Sequence, residues 1–326
     1  MNIMNTINSN ITLNTMNAMI AIWGKNGSGK STVASNLAGA YAKSGYTTAL
    51  VGANRFYGAI QHCFNMEINT KQSLRALLSG GDSLSISDYF VKCPYEKNLF
   101  VASLADGEDC AGFRKMRVDI VVRFLNLVKK NYQIMLIDCD ESIDDPLSMY
   151  SLTMSDKIEY VTRATMQSVV FAKAYDSIVS GLLIKDQISV IYIAGAASTY
   201  ASTAAEASLY APFGINSGYH ILPYCKEIEQ PRGNAAPIIF TRGDSRAAKN
   251  YVKEIVALAH TILPGAGDGQ LPECDSTLTD YKRADVSQKR KSARYINKLK
   301  RNRRRNQKHN EDKSNNKNIS LMKDKT

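Results

Sequence analysis

Eight residues near the start of the chain, Gly24-Lys25-Asn26-Gly27-Ser28-Gly29-Lys30-Ser31, follow the spacing GxxxxGK(S/T). Every residue type in that pattern suits a polyphosphate. Gly27 and Gly29 let backbone amides curl around phosphate oxygens with no Cβ in the way. A helix starting behind the loop adds the positive end of its dipole. Lys30 is spaced to reach β and γ phosphates, and the Ser31 hydroxyl to complete a Mg2+ shell. The plain alternative is an ordinary Gly-rich turn. It loses weight because an apolar run precedes the loop and a helical pattern follows, the setting in which this spacing has meaning. Further along, Ile134-Met135-Leu136-Ile137 ends in Asp138. An acid at the end of a buried strand is what a hydrated Mg2+ beside such a loop requires. Asp140 and Glu141 follow at once, and capping the next helix is the alternative role for Asp138.

These groups need elements to hold them. Short apolar runs alternate with longer helical patterns over residues 19–263. That alternation predicts an α/β fold, a doubly wound and mostly parallel sheet flanked by helices. Strands are expected at Met19–Trp23, Thr47–Val51, Leu99–Ser103, Gln133–Asp138, Ile158–Thr162, Ile188–Ala194, His220–Leu222 and Pro237–Phe240. Helices are expected from Lys30 and over Phe113–Lys130, Met166–Leu183 and Ser245–Leu263. In Phe113–Lys130 the spacing of Phe113, Met116, Ile120, Phe124 and Leu127 makes one apolar face. Its basic residues, Arg114 to Arg123 and Lys129-Lys130, then read as a solvated outer face.

The flanks differ in kind. Residues 1–18 form an Asn-rich leader with neither the basic start nor the apolar centre of a secretory signal. A Pro/Gly cluster opens a linker over residues 264–281, and residues 282–326 form a basic tail. The net charge of +11 belongs to that tail: Lys282–Thr326 holds 17 Lys and Arg against 4 Asp and Glu, leaving 24 basic and 26 acidic residues in the body. So dense a run reads as a disordered arm for nucleic acid, with an anionic membrane or no specific partner as alternatives. The six cysteines, Cys63, Cys93, Cys110, Cys139, Cys225 and Cys274, are scattered. They read as buried thiols in a reducing cytoplasm rather than a disulfide framework or a zinc site. At 44% hydrophobic residues the chain is too apolar for wholesale disorder, and it contains no run long enough to span a bilayer.

Lys25-Asn26-Gly27-Ser28-Gly29-Lys30-Ser31-Thr32 resembles the deviant phosphate loop of the MinD/ParA group of P-loop ATPases, K-x-G-x-G-K-(S/T)-(S/T). Asp138-Cys139 is similar to the group's acid-Cys strand end. Leu222-Pro223-Tyr224, with Gly233 and Pro237-Ile238, is similar to its late PY…G.P segment. The resemblance implies ATP and Mg2+ as cofactors, held by Gly24 to Thr32 with Ser31 and Asp138 on the metal. It also implies an ATP-dependent homodimer in which Lys25 of each subunit reaches the phosphates held by the other. The sequence departs from the group where Val51-Gly52-Ala53-Asn54-Arg55 carries no carboxylate. Asn54 there can orient a water but cannot take its proton. Asp140-Glu141 replaces a proline pair, and Ala194-Gly195-Ala196 stands where an asparagine often meets the base.

The expected function is an ATP-dependent dimerising switch in the cytoplasm with slow hydrolysis. It would act in plasmid or chromosome partition or DNA placement, with a DNA-binding adaptor as partner. The alternative is a weakly hydrolysing localisation factor for a conjugation or pilus machine, which the missing carboxylate near Asn54 favours. A metabolic P-loop ligase or iron–sulfur reductase has no supporting substrate motif or cysteine cluster.

Overall fold

The computed structural model describes residues 17–79, 85–108, 116–182, 187–198, 202–204, 207, 211–215, 218–229, 236–241 and 245–263. The leader up to residue 16, Gly233, Cys110, Cys274, the linker and the basic tail lie outside them. The described chain runs β1 (Ala18–Trp23), α1 (Lys30–Lys43), β2 (Thr48–Gly52), α2 (Leu74–Ser79), β3 (Val91–Lys92), β4 (Leu99–Ala102), α3 (Val118–Asn131) and β5 (Ile134–Asp138). It continues through α4 (Pro146–Met154), β6 (Lys157–Thr162), α5 (Met166–Leu182), β7 (Ile188–Ile193), β8 (Tyr219–Leu222), α6 (Lys226–Glu229) and α7 (Arg246–Ile262).

The strands form one sheet in the order β3-β4-β2-β5-β1-β6-β7-β8. Seven run parallel, and the two-residue β3 pairs antiparallel with β4 at the edge. β1 sits in the middle and is buried along its whole length. Its side chains alternate, Met19, Ala21 and Trp23 entering one core, Ala18, Ile20 and Ile22 the other. A strand covered on both faces has to be continuously apolar, and β1 is. The first core packs against α2, α3, α4 and α5, the second against α1 and α7. The expected doubly wound sheet is therefore observed.

Several boundaries differ from expectation. The third helix starts at Val118, so Met116 precedes it, and its most buried residues are Val121, Phe124, Leu125 and Val128. Arg117 pairs with Asp119 and Lys129 with Asp156, so these two cations are engaged at the surface. The strand expected at Pro237–Phe240 is instead a turn, with the Phe240 amide donating to the Pro237 carbonyl at 2.9 Å. Its apolar residues pack on a helix rather than on a strand edge. Ile238 and Ile239 are buried in the α1 and α7 core, and the Ile239 amide donates to Asn36 Oδ1 of α1 at 3.0 Å. Pro237 has no amide to offer a ladder, which suits the turn. α4 begins as its sequence dictates, with Pro146 in the first turn and Asp145 capping the Ser148 amide at 2.9 Å. No helix among the described residues is long and apolar enough to cross a membrane.

Candidate functional site

Parallel pairing brings the two sequence motifs together. Asp138, last residue of β5, lies in register with Ile22 on one side and Gly52 on the other. The loop that leaves β1 therefore rises beside it. That loop turns tightly, with the Ser28 amide donating to the Lys25 carbonyl at 3.1 Å. Gly24 takes φ +146°, and a Cβ there would lie 2.2 Å from the Val161 carbonyl oxygen of β6. Only glycine lets the chain leave β1 this close to β6. Gly29, at φ +104°, then feeds α1. α1 starts with no capping side chain and no acid in its first turn. Its amides and the positive end of its dipole are thus left for an anion.

Lys30 is buried, and its ammonium donates to Asn26 Oδ1 at 3.0 Å. Burial lowers its pKa, while Asp138, Asp140 and Glu141 pull in the other direction. Asp138 is buried too, and burial pushes its carboxyl up to about 6 against the Ser31 hydrogen bond and the Lys30 charge. Its Oδ1 is buried with no hydrogen-bond partner. A buried orphan oxygen beside a serine hydroxyl fits a hydrated divalent cation, which takes one or two protein oxygens and fills the rest with water and phosphate. Lys25 is half-buried, its ammonium donating to the Asn26 carbonyl at 3.2 Å. Cys139 is packed in the core, and burial drives its thiol pKa well up, so it is a packing residue.

Asn54 follows β2, and its Oδ1 accepts from the amides of Phe56 at 2.9 Å and Tyr57 at 3.4 Å. It shapes its own turn. Its neighbour Arg55 reaches across to the loop after β5, pairing with Asp144 at 2.8 Å and with buried Asp140 at 4.0 Å. That arginine is a residue the motifs did not point to.

Many solved structures share this arrangement of strands and helices, and three of them illustrate it. The septum site-determining protein MinD from Pyrococcus horikoshii OT3, complexed with Mg-ADP, has a TM-score of 0.60 at 18% identity over 77% of this chain and 97% of its own. A ParA family ATPase from Chlorobium tepidum TLS has a TM-score of 0.61 at 17% identity over 74% of this chain and 98% of its own. The chain has the MinD/ParA fold. A plasmid partition protein from Borrelia burgdorferi agrees, with a TM-score of 0.53 at 18% identity over 74% of this chain and 96% of its own. No family model and no curated protein sequence matches the chain. Its likeness to MinD and ParA lies in backbone geometry and in the phosphate loop.

The site also contains a contact that no motif describes. Glu141 Oε2 accepts the amide of Asn26, inside the phosphate loop, at 2.5 Å. The Glu141 carbonyl accepts Trp23 Nε1 at 3.2 Å, and the Glu141 amide donates to Asp140 Oδ1 at 2.6 Å. The acidic run after Asp138 signalled charge near the loop. It gave no sign of which carboxylate touches which amide.

Proposed function

We propose that this chain binds ATP with Mg2+ and works in the cytoplasm as a slowly hydrolysing, dimerising switch of the MinD/ParA type. The observation that carries the reading is the meeting of Lys30, Ser31 and the orphaned Asp138 oxygen at the uncapped start of α1. Backbone amides of the Gly24–Thr32 loop cradle the phosphates, and Lys30 neutralises them from within the loop. Ser31 and Asp138 would hold the cation, which when bound would supply neutralisation of the phosphate charge. Lys25, at the partly exposed rim, serves the phosphates of a second subunit. The Lys282–Thr326 tail supplies non-specific DNA affinity, and the output is partition or placement of DNA through an adaptor protein.

A second reading keeps nucleotide binding and drops useful turnover, making the chain a localisation factor for a conjugation or pilus machine. It is favoured by Asn54, which is no carboxylate and whose side-chain oxygen accepts from two backbone amides.

Calorimetric titration with Mg-ATP, together with sedimentation, tests the proposal. Lys30→Ala should lose ATP binding. Lys25→Ala should bind ATP but stay monomeric with a non-hydrolysable analogue. ATP affinity unchanged in Lys30→Ala removes the site assignment, and dimerisation unchanged in Lys25→Ala removes the two-subunit model. Turnover that DNA accelerates favours the switch; negligible turnover with and without DNA favours the localisation factor.

A further inference from the structure

Asn26 is gripped from both sides. Its amide donates to Glu141 Oε2 at 2.5 Å, and its side-chain oxygen accepts from Lys30 Nζ at 3.0 Å. In a loop of this type the amides and the lysine are the groups that hold phosphate oxygens. Here the Asn26 amide and the lysine already have protein partners, and the partner of that amide is an anion.

The contact is built into the surrounding loops. The Glu141 backbone is fixed at both its polar groups, the amide on Asp140 Oδ1 and the carbonyl on Trp23 Nε1. Trp23 is itself buried, with its ring 5.4–6.1 Å from those of Tyr160, Phe171, Tyr175 and Phe213. Asp140 is held by Arg55 from the loop after β2. With its main chain clamped, Glu141 keeps only side-chain freedom, and that side chain ends on the phosphate loop. The bond is solvent-exposed, so water can replace it when the carboxylate swings away.

We propose that Glu141 is a built-in competitor for the phosphate loop. A nucleotide polyphosphate binds by displacing the Glu141 carboxylate from the Asn26 amide and drawing Lys30 off Asn26 Oδ1. One N–H cannot serve two anions, and two negative groups at that spacing repel. The competitor therefore weakens nucleotide binding. It also ties phosphate entry to the loop that carries Asp140 and, through Arg55, to the loop that carries exposed Phe56 and Tyr57. This rests on the nucleotide-binding reading above and deepens it by naming the residue that sets affinity.

The test is titration of the full-length protein, Glu141→Gln, Glu141→Ala and Lys30→Ala with Mg-ATP and Mg-ADP, with thermal melting to show that each variant is folded. Glu141→Ala should bind both nucleotides at least threefold more tightly than wild type. Glu141→Gln, neutral but still able to accept the amide, should fall between the two. Equal or weaker affinity in both Glu141 variants overturns the proposal; weaker affinity would make Glu141 a supporting group for nucleotide or cation. Lys30→Ala separates the two claims. If it binds as wild type does, the site assignment fails and the competitor with it. If wild type binds too weakly to measure while Glu141→Ala binds, the proposal stands; if neither binds, both readings fall.

Discussion

Glu159 is an acidic residue buried inside the sheet. It lies inside β6 opposite Ile22 of β1 and Ser189 of β7, fully buried, and neither carboxylate oxygen has a hydrogen-bond partner. Burial pushes its pKa from 4.5 up to about 8, with the Lys157 charge pulling back. The sign of the effect follows from proton counting. Between those two values the folded chain keeps a proton that the unfolded chain has released. The stability associated with the neutral carboxyl is therefore complete below 4.5 and is lost as pH rises toward 8, at roughly 1 kcal/mol per pH unit inside that window. Urea unfolding of wild type and Glu159→Gln at about pH 6 and about pH 9 measures it. Wild type should lose more stability on going to the higher pH than the variant does. Parallel losses in the two proteins would mean that Glu159 is not the titrating group. Asp138 is also raised, but it remains in both proteins and cancels in the comparison.

At the scale of elements, the site depends on how closely β1 and β6 approach where the phosphate loop begins. Gly24→Ala puts a Cβ 2.2 Å from a backbone carbonyl of β6 at a φ of +146°, where no flexible side chain can give way. The cost should be on the order of 2 kcal/mol or more. Chemical denaturation would show a lower midpoint, and nucleotide binding should weaken as well because the loop must move. A midpoint equal to wild type would mean that the strands can part at little cost. Much of this was legible in the sequence, because the signals are local. β1 and β5 are unbroken apolar runs, and the loop between β1 and α1 needs its residue types at fixed spacing. Pro237–Phe240 misled for the same reason: a four-residue apolar run looks alike whether it pairs with a strand or packs on α1. The Glu141 contact was not legible at all. It joins residues 115 positions apart, and its geometry depends on Trp23 at the end of β1 meeting Asp140 from the loop after β5 and Arg55 from the loop after β2.

For the whole molecule the decisive quantity is where the charge lies. The chain carries +11, yet the residues before Lys282 hold slightly more acidic than basic groups. Among the described residues at least three cations are spent locally, Arg55 on Asp140 and Asp144, Arg117 on Asp119, and Lys129 on Asp156. Any long-range attraction to a polyanion is then expected of the tail. Deleting Lys282–Thr326 should remove most non-specific DNA affinity and leave Mg-ATP binding unchanged. The salt dependence supplies an independent check. An arm that neutralises about six phosphates loses about a thousandfold in affinity between about 50 and 200 mM salt, because each neutralised phosphate releases condensed counterions. The truncated protein should show little of that slope. DNA affinity of both proteins at two salt concentrations decides the matter. If truncation leaves affinity and slope intact, basic residues before Lys282, such as those from Arg114 to Arg123, carry the binding. If the full-length protein instead prefers anionic vesicles, the tail is a membrane anchor, and the placement it serves is on a lipid surface.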